Sequence, residues 1–131
     1  MSFEDFPDPN EPVHELEARD RWHAISELMD IVVATGKVNR QHRAAVEKAV
    51  IRRETSLSTS IGSGIAIPHA MTNLIKEPIV AFGRSRAGIN FDAHDKKPVY
   101  KVCLFLLPTG QFQKHLTFLA NIAKLLSKKG F

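Results

Sequence analysis

Apolar residues recur every three or four positions in three segments of the chain, and this spacing predicts three α-helices. The first helix begins at Asp20 and ends before Gly36, a residue that commonly stops a helix. Asn39 is placed to cap a second helix that runs to about Glu54. The third helix covers about residues 112–127. Each helix has an apolar stripe that must be buried against another element.

Runs of β-branched and aromatic residues predict strands at 65–67, 79–82 and 99–107. The last run is almost continuously apolar, as is typical of a central strand buried on both faces. Residues 87–98 are rich in turn formers, which predicts a short strand and a hairpin-like connection there. Helices and strands of this kind together predict an α/β fold.

The composition is that of one ordinary globular domain. The chain has 131 residues, of which 44% are hydrophobic and 24% charged, so a disordered or fibrous protein is disfavoured. Its single cysteine, Cys103, lies inside the last apolar run, which predicts burial and excludes an intramolecular disulfide. No segment reaches the ~18 apolar residues of a membrane span, and the acidic start is unlike a signal peptide. A cytoplasmic protein without membrane insertion is expected.

The start of the chain and its charge add little chemistry. Three prolines between residues 7 and 12 stand among acidic and polar neighbours, which predicts an extended, poorly ordered tail. The net charge is +4, and the cluster Lys124, Lys128 and Lys129 is typical of a solvated helix end. No nucleic-acid-binding motif accompanies these lysines, so nucleic acid is not an expected partner.

One of the six histidines, His69, stands apart by its position. It follows an apolar strand, Pro68 and a loop containing Gly62 and Gly64, so its imidazole is held at the end of a rigid element. Four others, at 14, 23, 42 and 94, lie in polar surroundings that suggest ordinary surface residues. His115 lies beside the apolar stripe in the first turn of the third helix.

Arg53 is the second unusual residue. Counting along the apolar stripe of the second helix, Val46, Ala49 and Val50 lead to the face on which Arg53 lies. An arginine that merely covers apolar surface with its stem would give the same pattern. The residue types alone therefore leave a structural and a functional interpretation open.

The strings Arg53-Glu54, Ser58-Thr59 and IGSGIAIPHA at 61–70 closely resemble a known active-site signature. It is that of the fructose/mannitol-type (type 2) enzyme IIA (EIIA) domains of the bacterial phosphoenolpyruvate-dependent phosphotransferase system, which include a nitrogen-related branch. Residues 78–82, 88–91 and 115–123 resemble the family's middle strands and second-histidine helix. The resemblance covers about residues 18–131 and leaves 1–17 as a weakly matching segment. It implies an α/β fold in which a mixed sheet is flanked by helices in a single compact domain.

The resemblance also implies a role for each candidate residue. His69 matches the phosphorylated histidine of the family, while Arg53 and His115 match residues that lie beside it. Arg53 would stabilise the phosphoryl group and His115 would orient it by hydrogen bonding. The implied donor is the carrier protein HPr or its nitrogen-branch equivalent, and the implied acceptor is an enzyme IIB domain. No cofactor or metal is implied, because neutral imidazole is itself a nucleophile near neutral pH.

Other kinds of site fit the sequence less well. His69 and His115 are far apart in the chain, without the HxxxH or HxH spacing typical of zinc ligands. The loop 61–64 lacks the lysine of a P-loop, and neither Ser60 nor Ser63 lies in a nucleophile-elbow context. Metal, nucleotide and serine-hydrolase chemistry are therefore disfavoured.

Two functions of a phosphorylated EIIA domain remain open from sequence. One is a sugar-system phosphocarrier, and the other is a regulatory module whose protein contacts depend on phosphorylation. The absence of a fused IIB or IIC segment favours the regulator. Family members usually continue past a segment resembling 125–131 with another helix, which this sequence lacks. Either the chain was cut or its core is completed by another protomer, and the expected consequences are reduced stability and exposed apolar surface that promotes association.

Overall fold

A computed structural model of the chain describes residues 11–110 and 112–127, with the side chains of 112–115 outside the described part. A single turn of 3-10 helix, Arg40–His42, leads into the second α-helix. In chain order the elements are β1 (Val13–Glu15), α1 (Arg21–Ala34), α2 (Arg43–Ser56), β2 (Ser60–Gly62), β3 (Ile65–Ala66), β4 (His69–Thr72), β5 (Ile79–Ile89), β6 (Val99–Pro108) and α3 (Phe112–Leu126).

The three predicted helices are confirmed, and side-chain caps mark the start of α1 and of the 3-10 turn that precedes α2. The Asp20 carboxylate accepts a hydrogen bond from the His23 backbone N–H at 2.9 Å and so caps α1. Asn39 accepts from the Gln41 N–H at 2.9 Å, which caps the 3-10 turn, and α2 begins only after that turn, at Arg43. The prediction that Asn39 caps the second α-helix is therefore wrong, because Asn39 caps the preceding 3-10 turn and the N-cap of α2 is His42, whose side chain makes no capping hydrogen bond.

The six strands form one mixed sheet in the order β1-β5-β6-β3-β2, with β4 also paired to β6. Strands β5 and β6 are antiparallel, whereas β3 and β4 run parallel to β6. The short strands β3 and β4 lie end to end along β6, and Pro68, which has no backbone N–H, separates them. The predicted mixed sheet flanked by helices is confirmed.

The core has one layer on each face of this sheet because side chains of β6 alternate between the faces. Val102, Leu104 and Leu106 join the cluster beneath α1 and α2. Cys103 and Phe105 join the second cluster, which contains α3, and burial raises the pKa of the Cys103 thiol well above its usual range. The predicted burial of the cysteine and the central position of its strand are both confirmed.

Two parts of the sheet differ from the sequence prediction. The strand predicted at 79–82 continues to Ile89, so the short strand expected within 87–98 is the end of β5, and residues 90–98 connect it to β6. Regular structure also begins before Asp20, because Val13–Glu15 pairs in parallel with β5. Three residues are too few to show an apolar period of two, which explains why the pattern did not reveal β1. Among the residues described, no helix has the length and apolar character required to cross a bilayer.

Candidate functional site

His69 is the first residue of β4 and follows the break that Pro68 makes in the line of strands beside β6. Its side chain is half-buried, and its Nδ1 lies 2.7 Å from the carbonyl oxygen of Ile67. A carbonyl oxygen only accepts hydrogen bonds, so Nδ1 carries the proton and donates a hydrogen bond to the Ile67 carbonyl. In the neutral ring this tautomer places the lone pair on Nε2.

A tight hairpin between β2 and β3 precedes the histidine. Its two loop residues, Ser63 and Gly64, have φ values of 57° and 74°, the left-handed combination found in type I′ turns. The Gly64 carbonyl accepts hydrogen bonds from the N–H groups of Tyr100 and Lys101 at 2.8 and 3.0 Å. The glycine-bearing loop of the sequence signature therefore fixes β3 against β6, one strand before His69.

Arg53 lies near the end of α2, the helix that packs against β4. Its side chain is half-buried, and its Nη1 donates a hydrogen bond to the Leu57 carbonyl at 2.9 Å. The expectation that Arg53 ends the buried stripe is wrong, because the fully buried face of α2 consists of Val46, Val50 and Glu54. A spacing of four residues, rather than three and seven, sets this face.

Glu54 is the site residue that sequence reasoning missed. Its side chain has no exposed surface, and its carboxylate accepts hydrogen bonds from both the backbone N–H, at 2.9 Å, and the hydroxyl of Thr59. Arg21 completes the group with Nη1 3.4 Å from Oε2. The missed signals were the four-residue spacing from Val46 and Val50 and the presence of Glu54 in the quoted signature string.

The serine and threonine of the signature connect this buried charge to the strands. Ser58 Oγ donates to the carbonyl of Phe91 at 2.7 Å, which joins the segment after α2 to the connection between β5 and β6. The Thr59 carbonyl accepts from the N–H of Ile67 at 3.1 Å. Thr59 therefore binds Glu54 through its N–H and hydroxyl groups. Through its carbonyl it binds Ile67, the residue that in turn binds His69.

His115 falls in the first turn of α3 by its backbone, as predicted, but its side chain lies outside the described residues. Helix α3 packs on the sheet through Phe118, whose ring meets that of Phe105 edge-on at a centroid distance of 5.9 Å. Of the other histidines, His23 contacts Asp20 at 2.6 Å within the α1 cap. The described part of the chain contains no group of three or more histidine, cysteine or acidic side chains that could hold a metal ion.

A family model described as phosphoenolpyruvate-dependent sugar phosphotransferase system, EIIA 2, matches residues 9–131. The chain belongs to this family. The match includes the strand β1, which lies inside the segment that the sequence signature left unassigned. It also includes all the residues of the hydrogen-bonded network that leads to His69.

Relatives of this EIIA domain carry two kinds of name. It is 40% identical to the fructose-specific EIIA component of Haloferax volcanii, with 79% of this chain and 66% of that protein covered. It is 31% identical to a nitrogen regulatory protein of Bradyrhizobium diazoefficiens, over 96% of this chain and 80% of that protein. A fructose-specific EIIABC component of Bacillus subtilis is 34% identical over 87% of this chain, which spans 18% of that longer protein.

Solved structures agree with the fold. The nitrogen regulatory protein IIA-Ntr of Neisseria meningitidis superimposes with a TM-score of 0.77 at 30% identity, covering 89% of this chain and 78% of that one. The mannitol enzyme IIA of Escherichia coli, in a complex with phosphorylated mannitol enzyme IIB, gives a TM-score of 0.68 at 19% identity over 95% and 90% of the two chains. The latter similarity shows the fold alone.

Proposed function

We propose that this EIIA domain accepts a phosphoryl group on Nε2 of His69 and passes it to another protein. The observation that carries the proposal is the hydrogen bond from His69 Nδ1 to the Ile67 carbonyl. It fixes the ring and commits the Nδ1 proton, so the nucleophilic lone pair lies on Nε2. The imidazole thus has a defined orientation before any donor arrives, which is what a positioned nucleophile requires.

The reaction is an in-line displacement at phosphorus. The Nε2 lone pair forms the new N–P bond while the bond from phosphorus to the donor's imidazole breaks, and the electron pair of that bond returns to the donor nitrogen. The proton stays on Nδ1 throughout, and its hydrogen bond to the Ile67 carbonyl stabilises the positive charge that the substituted ring acquires. No cofactor or metal enters this scheme. The proposed donor is HPr or its nitrogen-branch equivalent, and a cytoplasmic location fits the buried, reduced cysteine.

Arg53 and His115 are proposed to assist from either side of the phosphoryl group. Arg53 lies on the helix that packs against β4, and its planar guanidinium has donors beyond the one given to Leu57. His115 lies in the first turn of α3, the helix on the other face of the sheet, and would orient the phosphoryl oxygens by hydrogen bonding. Neither residue is proposed to carry the phosphoryl group itself.

Labelling with phosphoenolpyruvate, enzyme I and HPr tests the acceptor. One acid-labile phosphoryl group per chain should be incorporated, and His69→Ala should abolish it. His94→Ala, which changes an exposed histidine in the loop before β6, is the matched control and should label like the parent. Label that persists in the His69→Ala protein, or a phosphate that survives acid, would contradict the assignment.

Single-turnover labelling of Arg53→Lys and His115→Ala tests the two supporting roles. Loss of one donor to transition-state charge costs on the order of 10²-fold in rate, so His115→Ala should still label but transfer onward slowly. Arg53→Lys should also be slow, since an ammonium cannot reproduce the guanidinium fork. A His115→Ala protein that accepts no label, beside a His69→Ala protein that labels normally, would reverse the roles.

A regulatory function is the second candidate, because a nitrogen regulatory protein matches this chain over more of its own length than the fructose component does. In that function the phosphoryl group on His69 would change which proteins the domain binds. Transfer from the phosphorylated domain to purified enzyme IIB domains distinguishes the two functions. Rapid transfer supports a sugar-system carrier, whereas no transfer, together with target binding that depends on phosphorylation, supports a regulator.

A further inference from the structure

We infer that Glu54 is a positioning residue for His69 and acts on the imidazole through Thr59 and Ile67. The inference rests on the proposed function of His69 as phosphoacceptor. The effect of Glu54 on the histidine is transmitted along the backbone of Thr59 and Ile67. The supporting observation is a series of hydrogen bonds that runs from the buried carboxylate of Glu54, through the backbone of Thr59 and Ile67, to the imidazole of His69.

The series has three links. The Thr59 N–H and hydroxyl donate to the Glu54 carboxylate, with the backbone bond at 2.9 Å. The Thr59 carbonyl then accepts from the Ile67 N–H at 3.1 Å. Finally, the Ile67 carbonyl accepts from Nδ1 of His69 at 2.7 Å. Displacement of Thr59 would therefore move the group that holds the catalytic ring.

Burial makes the first link strong. Glu54 has no exposed surface, and a buried carboxylate is tolerated only where donors and an opposite charge surround it. Thr59 supplies two of these donors and Arg21 supplies the cation, with Nη1 3.4 Å from Oε2. Because moving Thr59 would leave this charge without two donors, the position of Thr59 is tightly determined.

The neighbouring residue Arg53 makes a local contact at the same end of α2. Its bond to the Leu57 carbonyl closes the last turn of α2 at an exposed position. The Glu54 contacts reach two residues further, to Thr59, and Thr59 continues to Ile67. The Arg53 contact thus stays within the helix end, whereas the hydrogen bonds that start at Glu54 reach His69.

The consequence for the reaction concerns the ring tautomer. Neutral histidine free in water samples both tautomers, and the Ile67 carbonyl selects the one with the proton on Nδ1. If that carbonyl turns away, the proton shifts in part to Nε2, the atom that must attack. The fraction of reactive imidazole falls and the remaining rings are less well oriented.

Glu54→Gln is the first test variant, because it keeps the shape of the side chain while removing its charge and one acceptor. Nitrogen NMR of the His69 ring in the unphosphorylated protein reports the tautomer directly. The parent should show Nδ1–H, and the variant should show a mixture of tautomers. The single-turnover rate of labelling by phospho-HPr should fall on the order of 10-fold or more, with little change in the donor concentration that gives half the maximal rate.

Glu77→Gln changes an exposed glutamate on the loop before β5 and is the matched control, which should leave both readouts unchanged. If Glu54→Gln does not fold, Thr59→Val and Thr59→Ser replace it. Thr59→Val removes the hydroxyl and should show the mixed tautomer and the slow rate, whereas Thr59→Ser restores the hydroxyl and should recover both.

The outcomes separate this inference from the proposed function. A folded Glu54→Gln protein with the parental tautomer and labelling rate would overturn the inference, as would Thr59→Val and Thr59→Ser proteins that behave alike. A parent that accepts no phosphoryl group would instead overturn the proposed function. In that case the tautomer measurement would still show whether Glu54 positions the ring.

Discussion

A carboxylate makes hydrogen bonds at each edge of the sheet, but one of the two carboxylates is buried and the other is exposed to solvent. Beside β2, Glu54 is fully buried and binds Thr59 and Arg21. At β1, the side chain of Glu15 is 48% exposed and pairs with Arg84 of the neighbouring strand β5. The carboxylate of Glu54 therefore fixes the position of the backbone at one edge, whereas the carboxylate of Glu15 forms an exposed ion pair at the other.

This difference follows from the free energy of desolvation. A charge in water exchanges a partner for solvent at little cost, so an exposed ion pair contributes little to stability. Water cannot replace a lost partner of a buried charge, so removing one partner leaves an uncompensated group in the interior. Position is accordingly well defined at the Glu54 edge, where the candidate phosphoacceptor lies.

Glu54→Ala should lower the stability of the protein more than any other substitution at the two edges. It removes the acceptor of two Thr59 donors and the partner of Arg21, so the free energy of unfolding should fall by about 3–5 kcal/mol. Urea denaturation measures the loss, with Glu77→Ala as the exposed control. A loss no larger than that of the control would show that the Glu54 edge is held by other contacts.

Gly83→Ala tests the β1 edge through packing rather than charge. A Cβ at Gly83 would lie 2.5 Å from Cδ1 of Leu16, whose side chain covers this glycine. Overpacking of this kind costs about 1–3 kcal/mol, and here it should push Leu16 and β1 away from β5. Faster amide exchange at the Leu16 N–H, which donates to the Arg84 carbonyl at 2.8 Å, would locate the damage.

A double mutant separates the clash from other effects of the alanine. If the clash is the cause, Gly83→Ala should cost less in a Leu16→Ala background than in the parent. Strictly additive losses would contradict the packing explanation. They would also show that β1 does not depend on the contact between Leu16 and Gly83.

The β2–β3 turn offers a pair of substitutions with opposite expected signs. Gly64→Ala places a Cβ at φ 74° and 3.3 Å from Cδ2 of Tyr100, which should cost about 1–2 kcal/mol. Ser63→Gly relieves a side chain held at φ 57° and should be neutral or slightly stabilising. Thermal unfolding of both proteins checks the signs. Equal losses for the two variants would mean that backbone strain does not control this turn.

Local pattern was sufficient for much of the fold. Apolar spacing located α1, α2 and α3, and the continuous run through Cys103 predicted the central strand β6, because both signals extend over many residues. The three-residue strand β1 was missed because a period of two cannot be recognised in so short a segment. The resemblance of the signature, and not the pattern, identified the family.

The site was less predictable because its geometry depends on contacts between distant residues. The rigid approach to His69 could be foreseen from Pro68 and the glycine loop, whereas its bond to the Ile67 carbonyl could not. Glu54 was overlooked because a charged residue on a helix is normally exposed. The two donors of Thr59 and the approach of Arg21, 33 residues earlier in the chain, together show how this carboxylate is accommodated inside the protein.

The smallest expected effect belongs to Glu15→Gln and completes the comparison between the two edges. Hydrogen bonds from the Arg84 guanidinium hold the pKa of Glu15 below its ordinary value of about 4.3. The pair therefore stabilises the folded state above that ordinary value, and its contribution disappears as the pH falls through the lowered pKa. The difference in denaturation midpoint between the parent and Glu15→Gln should be small at neutral pH and vanish in acid. It should also shrink in 1 M salt, where exposed charges are screened. A difference that stays constant from neutral to acid pH would mean that the substitution acts on the packing of β1 instead, and the contrast between a buried and an exposed carboxylate would then not explain how the two edges are held.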